Sequence, residues 1–477
     1  MSIEDLAGIT VYPRSKVETD DAGFALVRDD KGKRLVVQGN AAGFDGEEHG
    51  RARLCPLSPV NAAVLRERLP WLQPQPLGLK SSAGCGDRLG LATPGHIQAV
   101  RSAGNIAPIL AQQSMRENAR TGRSVQQVLD DAMWGVFQEG WREPWGADAD
   151  HLKTTADVDL CVAAGYTFYT VDPGDHVDNE AHTAPMEVLV DKVHALPWDG
   201  LEDTPDQLHE RYLGAEFQVE DLMLVFDEIT LARAAAKYGR AIAHTARMYR
   251  HLVKAMGGRT FELEVSVDET ETPTSPHEHY FVANELRRLG VQWVSLAPRY
   301  VGRFEKGVDY IGDLDTFDDD LAQHAAIARV LGPYKLSIHS GSDKFSIYPS
   351  FAKYAGNLVH LKTAGTSYLE ALRTIASVDP GLFRRILAFA LERWEEDRAT
   401  YHVSADPDKV PGPEETGDAE LQAVLEQFDG REVLHVTFGS VLERFGEELL
   451  SVLDDNEDAY YSALKVHFER HLAPFVK

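Results

Sequence analysis

The sequence predicts an α/β fold: a (β/α)8 TIM-type barrel with an N-terminal lead-in and a helical C-terminal extension. Two observations predict it. Short apolar or alternating runs recur eight times between helix-like stretches, the order expected of a parallel α/β barrel. Several of these runs also place a polar residue at every second position and end in His, Lys, Glu or Asp, which puts charge on one face of a strand.

The elements follow in chain order. Residues 1–75 read as a lead-in or cap, because residues 11–40 alternate around Asp30-Lys31-Gly32 in a hairpin-like pattern. The proline-rich stretch 73–76 reads as a linker. The barrel is expected over residues 76–400, with strands near 77–85, 106–114, 149–153, 167–172, 261–268, 293–298, 335–340 and 358–363. Helical patterns such as 125–140 and 383–394 separate many of them. Residues 401–477 read as an extension packed on the barrel, with a surface loop at 405–418.

Composition bounds the function. The chain has 477 residues and is 43% hydrophobic, enough for a sizeable core. Its net charge of −27 disfavours phosphate backbones and anionic lipid, so neither nucleic acid nor a membrane is expected as a partner. No run reaches the roughly 18 apolar residues of a membrane helix. The first residues show no basic, apolar leader. Cys55, Cys85 and Cys161 form no metal-binding or disulfide pattern, which suits a reducing cytoplasm.

The charged strand faces suggest chemistry. Period two places Glu262, Glu264, Ser266 and Asp268 opposite Leu263, Val265 and Val267. In a barrel the apolar set faces the helices and the polar set faces the lumen. The same parity groups Ser337 with His339, His360 with Lys362, and His151 with Lys153. Burying such charges costs several kcal/mol each unless they pair or bind something. At a barrel's carboxyl end they read as catalytic. Glu264 and His339, with His360 third, are the candidate ligands of a divalent metal, and this donor set does not distinguish Zn, Mn, Ni or Co. The rival reading of each histidine is a hydrogen-bonded structural residue. Lys153 and Lys362 suit a substrate carboxylate or proton transfer, and their rival reading is an internal ion pair. His277-Glu278-His279 is too short for a metalloprotease motif and reads as the opening of a helix.

Turns after the strands add further candidates. The glycines around Asp87 and Arg88 miss the dinucleotide fingerprint by one residue, so they read as a turn at the barrel mouth. Ser342 and Lys344 lie in a small-residue turn after His339 that suits an anion. Gln113 and Arg116 follow the second strand, and Asp172 ends the fourth. Ordinary caps and surface ion pairs are the rival readings.

The motifs GCGDRLGLATPGH (84–96), QQSMRENARTGRS (112–124), HLKT (151–154), VDPGDH (171–176), VSVDETETPTSP (265–276), SIHSGSDKFSIYP (337–349) and HLKTAGTSYLEALR (360–373) resemble the tagaturonate/fructuronate epimerase family. So do LHVTFGSVL (434–442) and YYSALKVHFERHLAPF (460–475). The resemblance runs from about residue 80 to the end. It implies a metal-dependent barrel isomerase that interconverts D-tagaturonate and D-fructuronate in hexuronate catabolism. The epimerised carbon lies one bond beyond the carbon next to the ketone, so direct deprotonation is a poor route and retro-aldol cleavage with re-addition is a better one. In that scheme Glu264, His339 and His360 hold the metal. Asp87, Lys153 and Asp172 are the catalytic candidates. Arg116, Gln113, Lys362, Ser342 and Lys344 meet the substrate. The expected partners are a small sugar acid and, at most, further copies of the chain. Two other readings remain: a class II-type aldolase or ketose–aldose isomerase, and a non-catalytic sugar-acid binder.

Overall fold

In the computed structural model, which describes residues 9–476, all eight expected runs form strands. They are β1 (Ser82–Gly84), β2 (Ala107–Ser114), β3 (Gly146–Leu152), β4 (Phe168–Val171), β5 (Glu262–Ser266), β6 (Ser295–Ala297), β7 (Lys335–Ile338) and β8 (Val359–Lys362). Each pairs with the next in parallel, and β8 pairs with β1 to close the barrel. A helix follows each strand: α1 (Thr93–Ala103), α2 (Val125–Glu139), α3 (Thr155–Ala164), α4 (Glu228–Met256), α5 (Pro276–Arg288), α6 (Leu314–Leu331), α7 (Tyr348–Tyr354) and α8 (Thr366–Val378). The longest excursion, between β4 and α4, carries its own hairpin, Glu216–Val219 with Leu222–Val225. Residues 1–8, the start of the expected lead-in, and Lys477, the last of the expected extension, lie outside the described residues.

The strand alternation sorts side chains as expected. Leu263, Val265, Leu336, Ile338 and Leu361 are buried in the main hydrophobic core. Each such side chain contributes roughly 1.5–3 kcal/mol when withdrawn from water. Their neighbours Glu264, His339 and Lys362 instead meet one another across the barrel. Helix starts are fixed locally. Ser124, Thr154, Asp227, Ser275 and Asp313 each accept a backbone N–H with their side chains. Ser275 and Glu278 form a reciprocal capping box, so the His-Glu-His run opens α5. His279 turns inward to Tyr334 Oη at 2.8 Å and His324 Nδ1 at 2.8 Å.

The expected hairpin is present, with Ala22–Asp29 paired to Gly32–Gly39. It docks on the chain's far end: Arg28 reaches Asp454 at 2.7 Å and Tyr12 reaches Glu457 at 2.8 Å. The last helix, α9 (Glu457–Leu472), lies against α1, where a Cβ on Gly95 would stand 2.7 Å from Leu464. Among the described residues no helix is long and apolar enough to cross a membrane. Cys55, Cys85 and Cys161 are free and buried.

One buried carboxyl pair ties the extension to a mouth loop. The backbone N–H of Ser404 donates to Glu305 at 2.8 Å and to Glu432 at 3.2 Å, and that of Ala405 donates to Glu432 at 2.9 Å. Burial, then the neighbouring Glu305, push Glu432 up to about 8. The folded state therefore holds a proton that the unfolded chain has released once pH passes the usual value of 4.5. Stability from this group falls as pH rises from there to about 8. Glu432→Gln should flatten that fall by up to about one proton, measured as the slope of unfolding free energy against pH. A slope equal to wild type would exclude the proton from Glu432.

Candidate active site

The lumen is organised around one ammonium group. Lys362 at the end of β8 places Nζ 2.8 Å from Asp148, 2.7 Å from Asp150 and 2.8 Å from Glu264. It also donates to Thr170 Oγ1 at 2.6 Å. Burial acts to lower its pKa, but the three carboxylates outweigh burial and hold it well above the ordinary value. The same ammonium, aided by His339, holds Glu264 well below the carboxylate range against its burial.

Above Lys362, two imidazoles sit among carboxylates. His339 Nε2 is 2.6 Å from Glu264 and its Nδ1 is 3.1 Å from Asp268. His151 Nδ1 is 3.1 Å from Asp172, and its Nε2 is 3.8 Å from Asp150. The two rings meet edge to face at 5.0 Å. Burial pulls both down, yet Asp268 and Glu264 raise His339 to about 9, and Asp150, Glu269 and Asp172 raise His151 to about 10. The site therefore carries an excess of negative charge that draws protons onto its histidines. Ligand atoms of Asp150, His151 and His339 all lie within 4.8 Å of one another, a spacing one metal ion can bridge. Glu264 Oε2 is buried without a hydrogen-bond partner.

The strand ends leave these groups at a mouth. Arg116, Glu269, Lys306, Ser340 and Tyr401 line a cleft of about 550 Å3 that reaches His339. Arg116 pairs with Glu269 at 2.9 Å, and both are partly exposed. Lys306 Nζ donates to Ser340 Oγ at 2.6 Å. The backbone is left-handed at His151 (φ 53°), Ser340 (φ 47°) and Asp343 (φ 62°), a conformation that costs a non-glycine residue free energy and clusters at functional sites. The C-terminal extension holds the last of these turns. Asp343 accepts from Arg431 at 2.6 Å and faces His467 Nε2 at 2.6 Å, while its N–H donates to His471 Nε2 at 2.9 Å. These three form a second ligand-like cluster, but its polar atoms already satisfy one another, so it reads as a clamp.

The expected residues divide. Glu264 and His339 come together. His360 does not join them: its Nδ1 meets Ser82 Oγ at 2.9 Å, and it packs on Phe168 deeper in the barrel. Burial keeps it neutral. Lys362 lies within the cluster, its ammonium paired with three carboxylates as in its rival reading, and it also lines the inner end of the mouth. Asp172 stands behind His151. Lys153 lies on the rim, 2.8 Å from Asp175 and 3.9 Å from Asp172, because the left-handed turn at His151 breaks the parity that grouped the two. Asp87 accepts the backbone N–H groups of Leu89, Gly90 and Ala92 at 3.0, 2.8 and 2.7 Å, so it fixes the entry to α1. Gln113 turns away to Thr121 at 3.3 Å, and its neighbour Gln112 is the one that meets Asp150, at 2.8 Å. Lys344 is buried on the carbonyls of Glu305 at 2.7 Å, Val308, and Ser342 at 3.2 Å. Ser342 and Arg116 do line the mouth.

Sequence reasoning missed Asp148 and Asp150. Starting β3 at 149 hid the alternation Asp148, Asp150 that a strand from Gly146 displays. It also passed over Glu269, Lys306 and Tyr401, which sit on loops where no periodicity marks direction.

The whole chain also matches known proteins. A family model described as tagaturonate epimerase covers residues 12–475. A tagaturonate/fructuronate epimerase of Thermotoga maritima is 45% identical over 474 residues, 98% of this chain and 96% of that one. Crystal structures of a fructuronate–tagaturonate epimerase from Cohnella laeviribosi, native and glycerol-complexed, superpose with a TM-score of 0.94 at 40% identity, covering 99% of this chain and 98% of theirs.

Replacing Lys362 by Met removes the cation that Asp148, Asp150 and Glu264 share and leaves these buried carboxylates facing each other. Lys362→Met should lower stability by about 3–5 kcal/mol in urea unfolding. A loss under about 1 kcal/mol would show that the carboxylates are held by other means.

Proposed function

The chain belongs to the tagaturonate epimerase family, and we propose that it interconverts D-tagaturonate and D-fructuronate by metal-assisted retro-aldol cleavage and re-addition. One observation carries the metal part. Donor atoms of Asp150, His151 and His339 lie within 4.8 Å of one another at the strand ends, and Asp172, Glu264 and Asp268 face the two imidazoles. This donor set suits Zn, Mn, Ni or Co, and both histidines would have to give up a proton to hold such an ion. Asp150, His151 and His339 would be its ligands, with Asp172 orienting His151 through Nδ1 and one of Glu264 and Asp268 orienting His339 through the ring nitrogen the ion leaves free. When bound, it would supply Lewis-acid polarisation of the substrate ketone and its neighbouring hydroxyl.

The chain's own residues account for the rest. The substrate carboxylate replaces Glu269 on Arg116, with Lys306 beside it. That exchange loosens Glu269, whose carboxylate His151, Lys306 and Arg116 otherwise hold low against its burial. Glu269 then takes the proton of the hydroxyl on the epimerising carbon. The bond from that carbon to its neighbour on the ketone side breaks, and its electron pair passes into the enediolate of the ketone fragment. The aldehyde fragment, still held through its carboxylate, turns its other face. The bond forms again, and Glu269 returns the proton to the new alkoxide. Three buried free cysteines suit a reducing compartment, and we place the enzyme in the cytoplasm.

Two experiments test this reading. Chelation should abolish turnover of D-tagaturonate, and one of the four ions should restore it. His339→Ala should bind that ion at least about tenfold more weakly by calorimetry. Full activity in metal-stripped protein would remove the metal. Separately, Glu269→Gln should lower kcat by at least about a hundredfold with little change in KM, whereas Arg116→Ala should raise KM. In deuterated water the epimerised carbon should retain its hydrogen. Solvent deuterium at that carbon would favour proton abstraction and sink the cleavage route.

A further inference from the structure

A second charged groove lies on the outer face of α4. Arg240, His244, Arg247 and Arg250 recur at helical spacing and line it together with His176 from the turn after β4. The groove holds about 560 Å3, and the small residues Gly200 and Ala243 leave it open. Among the described residues no carboxylate lines it, although acids outnumber bases in this chain by 75 to 48.

The bases are not accounted for by structure. Among the described residues Arg240 and Arg247 form no ion pair: Arg240 reaches only the carbonyl of Ala195 at 3.4 Å, and Arg247 donates to His244 Nδ1 at 2.9 Å. Asp175, next to His176, is engaged with Lys153 at 2.8 Å, and Asp199, next to Gly200, is exposed and does not line the groove. Arg250 pairs with Glu202 at 2.5 Å on the rim. A guanidinium can only donate, so His244 Nδ1 carries no proton, and the ring is neutral where it stacks on His176 at 4.1 Å. Like charges one helical turn apart repel, and a concave, acid-free surface intensifies the effect. A bound anion removes that cost.

We propose that this groove is a binding site for a small phosphoryl-bearing molecule, separate from the barrel mouth. Planar guanidinium forks match the oxygens of a phosphoryl group in pairs, and the volume suits a sugar phosphate. A nucleic-acid polymer is excluded by the charge of the rest of the surface.

The test uses the full chain and isothermal titration with inorganic phosphate and with sulfate at pH 8 and fixed ionic strength. Wild type should bind one equivalent of either. Arg240→Ala/Arg247→Ala should weaken binding at least tenfold while leaving epimerase turnover and the melting temperature unchanged. Ala243→Glu, which sets a carboxylate in the groove and keeps every arginine, should weaken it as much. Absence of saturable binding by wild type would overturn the proposal. So would equal binding by wild type and both variants, or binding lost with Arg116→Ala instead, which would place the anion in the barrel mouth.

Discussion

The Lys362 ammonium is the interaction on which the interior depends. Asp148, Asp150 and Glu264 come from β3 and β5, and they converge in a lumen closed to bulk water. Without a cation between them they would repel one another at short range and low dielectric. With it, Asp150 is held low against its burial, Glu264 likewise, and both face His339 as anions. The ammonium therefore sets the charge that the two imidazoles see. It also explains why a lysine in a barrel strand is tolerated when its isolated burial would be prohibitive.

A second dependence runs outward from that cluster. His339 ends β7, and the turn after it passes through two left-handed residues, Ser340 and Asp343. Such a turn persists only when its surroundings over-determine it. Arg431, His467 and His471 do so through Asp343, and they all come from the C-terminal extension. Tyr401, from the same extension, walls the cleft. The barrel thus supplies the charged groups, and the extension fixes the turn and the shape of the mouth.

Much of the fold is legible in the primary structure because each barrel strand carries its own signal. Leu263, Val265 and Leu336 need the helix-facing side, and parity then sends Glu264 and Lys335 inward. The candidate site is legible only where that regularity holds. Glu264 and His339 obey it. Parity failed at Lys153, because the backbone turns left-handed at His151. At Gln113 it picked the wrong neighbour, and a bulge between Ile109 and Ala111 shifts the register of β2 against β3. Asp87 and Lys344 were read from turns, and a turn does not say whether a polar side chain faces a ligand or its own backbone. Both face backbone.

The sequence by itself determined the barrel, its strand order and the kinds of charge on its inner face, since period-two alternation and caps such as Ser275 act within a few residues. Its long motifs also carried the family. Only the tertiary structure decided which charges meet. His360 and His339 share an inward face, yet one lies beside Ser82 in the depth of the barrel and the other beside Glu264 and Asp268 at its top. Height along the barrel follows from the stagger between strands, and stagger is a relation between distant segments. No local pattern in either segment encodes it.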